Sequence, residues 1–189
     1  MRLLATQHLD LIPASDAALG AELESPAALA AVHDVEVPPD WPPPLYDADA
    51  VRFALDWLAA HPGLAEWGFH YMVRRGPQPT LIGAGGFKGG PDAQGTVEVG
   101  YSVVPAHQRH GYATEAVEAW VRFAFADPRV AVVVGQTLPS LGPSIRVLEK
   151  AGFLCAGGGY DPHAPEGAEV VRYELSRADW ARQLTRVNP

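Results

Sequence analysis

"PAHQRHGYATEAVEAW", residues 105–120, opens as a polar loop and closes as a helix, and the join between the two decides how the chain folds. From Ala113 to Phe125, Ala116, Val117, Trp120, Val121 and Ala124 recur at helical spacing, while Glu115, Glu118 and Arg122 fall on the opposite face. The apolar stripe predicts a helix lying on a sheet. Just upstream, "GTVEVGYSVV" (95–104) alternates as a strand does. Val97, Val99, Tyr101 and Val103 take one face; Glu98, Gly100, Ser102 and Val104 take the other. Pro105 removes an amide donor and helps to end the pairing. The unit is strand, turn, helix, with free amides gathered around "HQRHGYA" at the positive end of a helix dipole, a place to hold phosphate. Gly111 lets that backbone approach closely without a side chain in the way.

Working outward, "GFHYMVRR" (68–75), "TLIGAGGFKGG" (80–90) and "GTVEVGYSVV" read as an antiparallel meander, punctuated by Gly and Pro. Before it, "RLLATQHLDLIPA" (2–14) reads as a first strand, and "SDAALGAELESPAALAAVH" (15–33) as a helix interrupted at Pro26. "DVEVPPDWPPPLYDADA" (34–50) holds five prolines between Pro38 and Asp47 and predicts an extended, polyproline-like loop. A helix capped by Asp47 or Asp49 runs through "AVRFALDWLAA" (50–60) until "HPG" ends it. Downstream come a strand in "RVAVVVGQT" (129–137), a helix at Ser144–Ala151, a strand near "GFLCAG" (152–157) and a last strand "EVVRYEL" (169–175). A short helix follows, capped by Ser176 with Asp179 three residues on. The expected fold class is α/β (α+β): one domain over residues 1–189, with a mixed, largely antiparallel sheet of six to seven strands flanked by helices on both faces. Within it, residues 1–66 supply N-terminal helices and the Pro-rich loop, and residues 67–189 the sheet.

Composition narrows the function classes. With 48% hydrophobic and 19% charged residues, 189 residues can bury the core of one globular domain. A formal charge of −8 opposes a phosphate-backbone footprint, so no nucleic-acid partner is expected and a cationic or amine partner fits better. Cys155 is alone, which excludes an intrachain disulfide and a thiolate-rich metal site and agrees with a reducing cytoplasm. The apolar run at the N-terminus is broken by Gln7, His8 and Asp10, unlike a signal peptide, and no stretch approaches the ~20 apolar residues of a membrane span. The expectation is a cytoplasmic protein without a membrane partner.

The turn at 105–113 contains neither G-x-x-x-x-G-K-[ST] nor G-x-G-x-x-G. Gln108-x-x-Gly111-x-Ala113 instead resembles the [Q/R]-x-x-G-x-[G/A] pyrophosphate loop of the GNAT acyltransferase superfamily. "VEVGYSVVPAHQRHGYATEAVEAWVRFAF" (97–125) and "PSIRVLEKAGF" (143–153) stand in the order and at the distance found in GNAT proteins similar to the ribosomal-protein N-acetyltransferases. They cover about the middle third of the chain. The resemblance implies the acyl-CoA N-acyltransferase fold and transfer of an acetyl group from acetyl-CoA to a primary amine by direct attack in a ternary complex. It implies that main-chain amides of Arg109, His110, Gly111, Tyr112 and Ala113, in the loop opened by Gln108, hold the pyrophosphate, with the Thr114 hydroxyl added. Val103 and Val104 would offer backbone groups to the pantetheine arm, and one such amide could act as an oxyanion donor. No nucleophilic residue is required; the protein must position its substrates and provide routes for two protons.

For the leaving thiolate, Ser144 matches the serine of the related enzymes; the bland alternative is a helix N-cap. Family members often carry an Asn shortly before this Ser, where this chain has Leu141 and Gly142. For the base, Glu98 corresponds to the family's strand carboxylate, acting directly or through water; equally it is a surface Glu. His70 is the second candidate base, or a core histidine. His107 and His110 are three apart with no third ligand in view, so no metal is expected. Tyr101 and Tyr112 read as packing residues, and Lys88 as a solvated strand-end cation. On the substrate side, Trp41, Tyr46 and Trp57 could wall a pocket and Asp40, Asp47 or Asp49 could attract an ammonium group, although Trp41 could simply staple the loop. The acceptor would be a small-molecule or peptide amine. A different class stays open, a catalytically inactive acyl-CoA-binding sensor or interaction module of the same fold. The final strand and the helix after it could form a homodimer interface.

Overall fold

A computed structural model describes residues 3–160 and 169–187. The alternating stretches join one sheet with the strand order β1-β2-β3-β4-β5-β6-β8-β7. These are β1 (Leu4–Ala5), β2 (Leu9–Pro13), β3 (Phe69–Arg74), β4 (Thr80–Phe87), β5 (Thr96–Val103), β6 (Val132–Thr137), β7 (Leu154–Tyr160) and β8 (Glu169–Ser176). Every neighbouring pair is antiparallel except β5 and β6, which run parallel with α4 (Tyr112–Ala126) as their crossover. The strand count is therefore eight rather than six to seven. The difference lies at the N-terminus, where the expected single strand folds into a hairpin with Leu4 opposite Leu11. Thr6 causes the break: its Oγ1 accepts from Leu9 N at 2.9 Å and donates to Glu115. Arg2, at the start of that reading, lies outside the described residues.

The remaining helices are α1 (Asp16–Glu24), α2 (Pro26–His33), α3 (Ala48–Ala60), α5 (Gly142–Lys150) and α6 (Arg177–Val187). Ser25 ends α1 and caps α2, its hydroxyl accepting from Ala28 N at 3.1 Å, while Pro26 occupies the first helical position, where no donor is needed. Asp47 caps α3 by accepting from the amides of Asp49 and Ala50, both at 3.0 Å. None of the described helices is long and apolar enough to cross a membrane.

Two cores lie on the two faces of the sheet. Trp120, Val117 and Ala124 of α4 and Leu148 of α5 pack on Val97, Val99 and Val133, and burial of Trp120 alone is worth about 3–5 kcal/mol against alanine. On the other face α1, α2 and α3 cover β2 to β4 through Leu19, Leu29, Val51, Tyr71, Leu81 and Ala84. This second core draws no residue from β5 to β8. Glu98, Gly100 and Ser102, which point to the same side, therefore lie past its edge, where the sheet carries no helix of that layer.

Candidate active site

The strand pair β5–β6 opens partway along. Its parallel register runs from Thr96 opposite Val132 to Val99 opposite Gly135 and stops there, although β5 continues to Val103 and β6 to Thr137. Backbone groups alternate in direction along a strand. Those of Glu98 and Val104 turn toward β4, since Glu98 O accepts from Lys88 N and Val104 N donates to Ile82 O, both at 2.9 Å. Tyr101 and Val103 therefore direct their main-chain groups into the opening. Val103 O is taken by Gln108 Nε2 at 2.9 Å, and the N–H groups of Tyr101 and Val103 are turned toward the gap. The expectation that either valine amide could serve as an oxyanion donor is corrected for Val104, whose N–H belongs to the β4 ladder.

Beyond Val103 a single 3₁₀ turn at Pro105–His107 leads into the loop, and Asp40 Oδ2 accepts from Ala106 N at 3.0 Å. Arg109 (φ 65°) and Gly111 (φ 86°) both adopt the left-handed conformation. A Cβ on Gly111 would meet nothing within 4 Å, so the glycine there serves backbone conformation rather than space. The first bond of α4 is Glu115 N to Gly111 O at 3.0 Å, and no side chain caps the helix. The amides of Tyr112, Ala113 and Thr114 consequently have no acceptor within the helix and point out of its positive end. Gln108, Arg109, His110 and Gly111 are exposed around them, and His110 stacks on Tyr112 with ring centroids 5.7 Å apart. Glu115, expected on a solvated face, is tied to the β1–β2 turn by Thr6 and by His8 N at 2.7 Å. Burial would raise its pKa, but the hydrogen bonds from Thr6 and His8 prevail and hold it below the usual carboxylate range.

On the α4 side of the opening, Tyr101 meets Ser144. The tyrosine Oη donates to Ser144 O at 3.0 Å and lies 3.2 Å from Ser144 Oγ. Burial pushes the Tyr101 hydroxyl up to about 12, against a lowering by its bond to Ser144, so it keeps its proton at neutral pH. Ser144 is not an N-cap: α5 begins at Gly142, Leu141 holds the capping position without a side-chain bond, and Ser144 is the third helical residue. Its hydroxyl is thus released from capping. The pairing with Tyr101 was not read from the sequence, where Tyr101 passed as a packing residue.

On the other side of the opening stands Glu98. One carboxylate oxygen pairs with Lys88 Nζ, and the other accepts from Gln136 Nε2 at 3.2 Å. Lys88 is therefore a partner of Glu98 rather than a free strand-end cation. Four residues along, Ser102 Oγ donates to Pro44 O at 2.6 Å, fixing the Pro-rich loop against β5. The second candidate base is excluded: His70 is 1% exposed beneath Trp120 and Phe87, its Nδ1 is 3.1 Å from Gly68 O, and burial pushes its pKa down to about 4.

The Pro-rich loop is folded rather than extended, with turns closed by Trp41 N to Pro38 O (3.0 Å) and Tyr46 N to Pro43 O (3.2 Å). Glu22 of α1 holds it from beneath: its carboxylate accepts from Trp41 Nε1 (3.0 Å), Tyr46 Oη (2.8 Å) and Tyr71 Oη (2.7 Å). Burial raises the Glu22 pKa, although all three donors oppose the rise. Trp41 and Tyr46 are thereby stapled to the second core. Asp47 caps α3, and Asp49 pairs with Arg52 at 2.7 Å on the exposed face of that helix. Trp57 stacks on His61 and backs Gly68.

The geometry thus presents a helix start without a side-chain cap, a gap between diverging strands, a hydroxyl pair on one side and a carboxylate on the other. Comparisons with known proteins agree with it. The family model for the acetyltransferase (GNAT) domain matches residues 12–154. An uncharacterized N-acetyltransferase of Bacillus subtilis (strain 168) is 31% identical over 74 residues, 39% of this chain and 44% of that protein. The chain spans about half the length of the curated relatives it matches. Among solved structures, a GNAT-family acetyltransferase from Bacillus anthracis superposes with a TM-score of 0.63 at 20% identity, covering 93% of this chain and 98% of its own. A ribosomal-protein alpha-N acetyltransferase in complex with coenzyme A gives 0.64 at 14% identity, covering 93% and 98%.

Proposed function

The chain belongs to the GNAT acetyltransferase family, and from that premise we propose that it transfers the acetyl group of acetyl-CoA to a primary amine by direct attack in a ternary complex. The observation that carries this reading is the opening of β5 from β6 past Val99, with the Tyr101–Ser144 pair on one side of it and Glu98 on the other. The family relatives bring the acyl chemistry, and the coenzyme A held by one structural neighbour supports the choice of cosubstrate.

In this reading the amides of residues 109–113 and the Thr114 hydroxyl take the pyrophosphate, and the pantetheine arm descends into the gap along Val103. The thioester carbonyl then lies within reach of the Val103 N–H, the donor already aimed where negative charge develops as the amine attacks. The amine enters from the Glu98 side, and Glu98, steadied by Lys88 and Gln136, accepts its proton directly or through one water. As the tetrahedral intermediate collapses the C–S bond breaks, and Ser144 Oγ–H protonates the departing thiolate. Tyr101 can return a proton to Ser144 along their 3.2 Å contact. Two proton routes on opposite faces of one strand keep base and acid apart.

Thiol release from acetyl-CoA, measured with a panel of primary amines, tests the proposal. Amine-dependent release supports it. Binding of acetyl-CoA with no release for any amine would favour the inactive sensor of the same fold.

A further inference from the structure

The 3₁₀ turn that follows β5 is held from outside its own strand-turn-helix unit. Its internal bonds are local: His107 N donates to Val104 O at 3.0 Å and Gln108 N to Pro105 O at 3.3 Å. Amides ahead of those bonds have no partner inside the turn. Pro105 brings no N–H, so the donor left over is that of Ala106, and Asp40 Oδ2 accepts from it at 3.0 Å across 66 residues. From the Pro-rich loop, Asp40 thereby does for this turn what a capping residue does for a helix.

The loop can serve as that anchor because it is itself fixed. Trp41, next to Asp40, donates through Nε1 to Glu22 at 3.0 Å and through its N–H to the carbonyl of the buried Pro38, also at 3.0 Å. Pro44 O accepts from Ser102, so one loop meets both β5 and the turn beyond it. Arg109, two residues past the turn, is left-handed at φ 65°, a conformation that is unfavourable for a residue with a side chain and persists only where neighbouring structure imposes it. The bond that fixes Ala106 stands three residues ahead of that position; Glu115, bound by Thr6 and His8, stands six residues after it.

We propose that Asp40 is a positioning residue for the cosubstrate: by capping the turn at residues 105–107 it sets the backbone of residues 109–113 in the form that receives the pyrophosphate. The loop that meets β5 on the acceptor side then also governs the hold on acyl-CoA. This rests on the reading of residues 108–114 as the acyl-CoA loop. Charge does not account for Asp40, because a carboxylate at the entrance to a pyrophosphate loop repels the anion to be held. Its Oδ1 is buried without a hydrogen-bond partner among the described residues, a further cost for a carboxylate at that place. What the side chain offers in return is an acceptor for Ala106 N.

The test uses the full chain and its Asp40→Asn and Asp40→Ala variants, with amide hydrogen exchange over residues 104–112 in the free protein and calorimetric titration with acetyl-CoA. Asparagine keeps an oxygen for Ala106 N and removes the charge; alanine removes both. The alanine variant should exchange faster in this segment and bind acetyl-CoA about 3- to 10-fold more weakly, the range for loss of one hydrogen bond. The asparagine variant should exchange as the parent does and bind acetyl-CoA at least as tightly, since only the repulsion is gone. An alanine variant with the parent's affinity would make the bond merely structural and overturn the role. Weaker binding by the asparagine variant, or tighter binding by both variants, would show that the carboxylate acts through its charge and overturn it equally. Failure of the parent to bind acetyl-CoA would instead remove the acyl-CoA reading of the loop, whatever the exchange shows about the cap.

Discussion

Tyr101 Oη donates to Ser144 O at 3.0 Å and lies 3.2 Å from Ser144 Oγ, joining β5 to the first turn of α5 on the face of the sheet opposite Glu98. Two hydroxyls in contact, one kept protonated by burial, form a proton store beside the place where a thiolate would leave. Ser144→Ala should lower kcat by about 10²-fold, the lower range for loss of a positioned acid. Tyr101→Phe should lower it less, about tenfold, with acetyl-CoA affinity unchanged for both. Because the two act as one unit, the double variant should be no slower than Ser144→Ala; multiplicative losses in steady-state kinetics would show that they act separately.

Glu98 is the proposed base. Glu98→Gln keeps the shape and a possible bond to Gln136 but cannot accept the amine proton, so turnover should fall by about 10²- to 10⁴-fold with acetyl-CoA binding retained. Calorimetry and turnover on the same preparation check this. A variant that turns over normally would return Glu98 to the role of a strand-surface carboxylate paired with Lys88.

Much of this arrangement was legible in the sequence. Alternation over Thr96–Val103 and the helical stripe from Ala113 identify the strand-turn-helix unit because both depend on neighbours a few residues apart. The left-handed Gly111 belongs to the same local signal. What stayed hidden is long-range. Tyr101 and Ser144 are 43 residues apart, and Glu22 meets Tyr71 across 49, so no local pattern couples them. The Pro-rich loop read as extended because proline composition specifies stiffness but not what anchors it. A helix cap stayed open as the alternative for Ser144 because residue preference cannot show that Gly142 and Pro143 already belong to the helix.

The Glu22 cluster predicts a stability effect at the junction of the Pro-rich loop and the second core. Glu22→Ala would strand three partly buried donors, Trp41 Nε1, Tyr46 Oη and Tyr71 Oη, at a cost of about 2–4 kcal/mol. Urea unfolding should report that loss, and limited proteolysis should gain cleavage between Pro38 and Asp47. An unchanged midpoint and cleavage pattern would mean that the loop is held by packing alone.

His70 gives the pH dependence a sign. Its pKa falls from 6.5 to about 4 on folding, chiefly through burial, so between these values the unfolded chain binds a proton that the folded chain does not. The contribution is present above pH 6.5 and is lost as pH falls toward 4, up to about 3 kcal/mol. His70→Leu should flatten this part of the profile, and the difference in melting temperature between parent and variant should narrow as pH falls from 7 to 4.5. Parallel profiles would contradict the assignment.

The central claim is that the helix start at residues 109–114 and the gap beside Val103 together hold an acyl-CoA. Calorimetric titration with acetyl-CoA and, separately, with S-acetylpantetheine, which shares the thioester but lacks the pyrophosphate, tests it most directly. The structure predicts saturable binding of acetyl-CoA and a large loss of affinity for the pantetheine thioester. Equal affinity for the two, or no heat with either at millimolar concentration, would contradict the claim and leave the loop as an ordinary helix start.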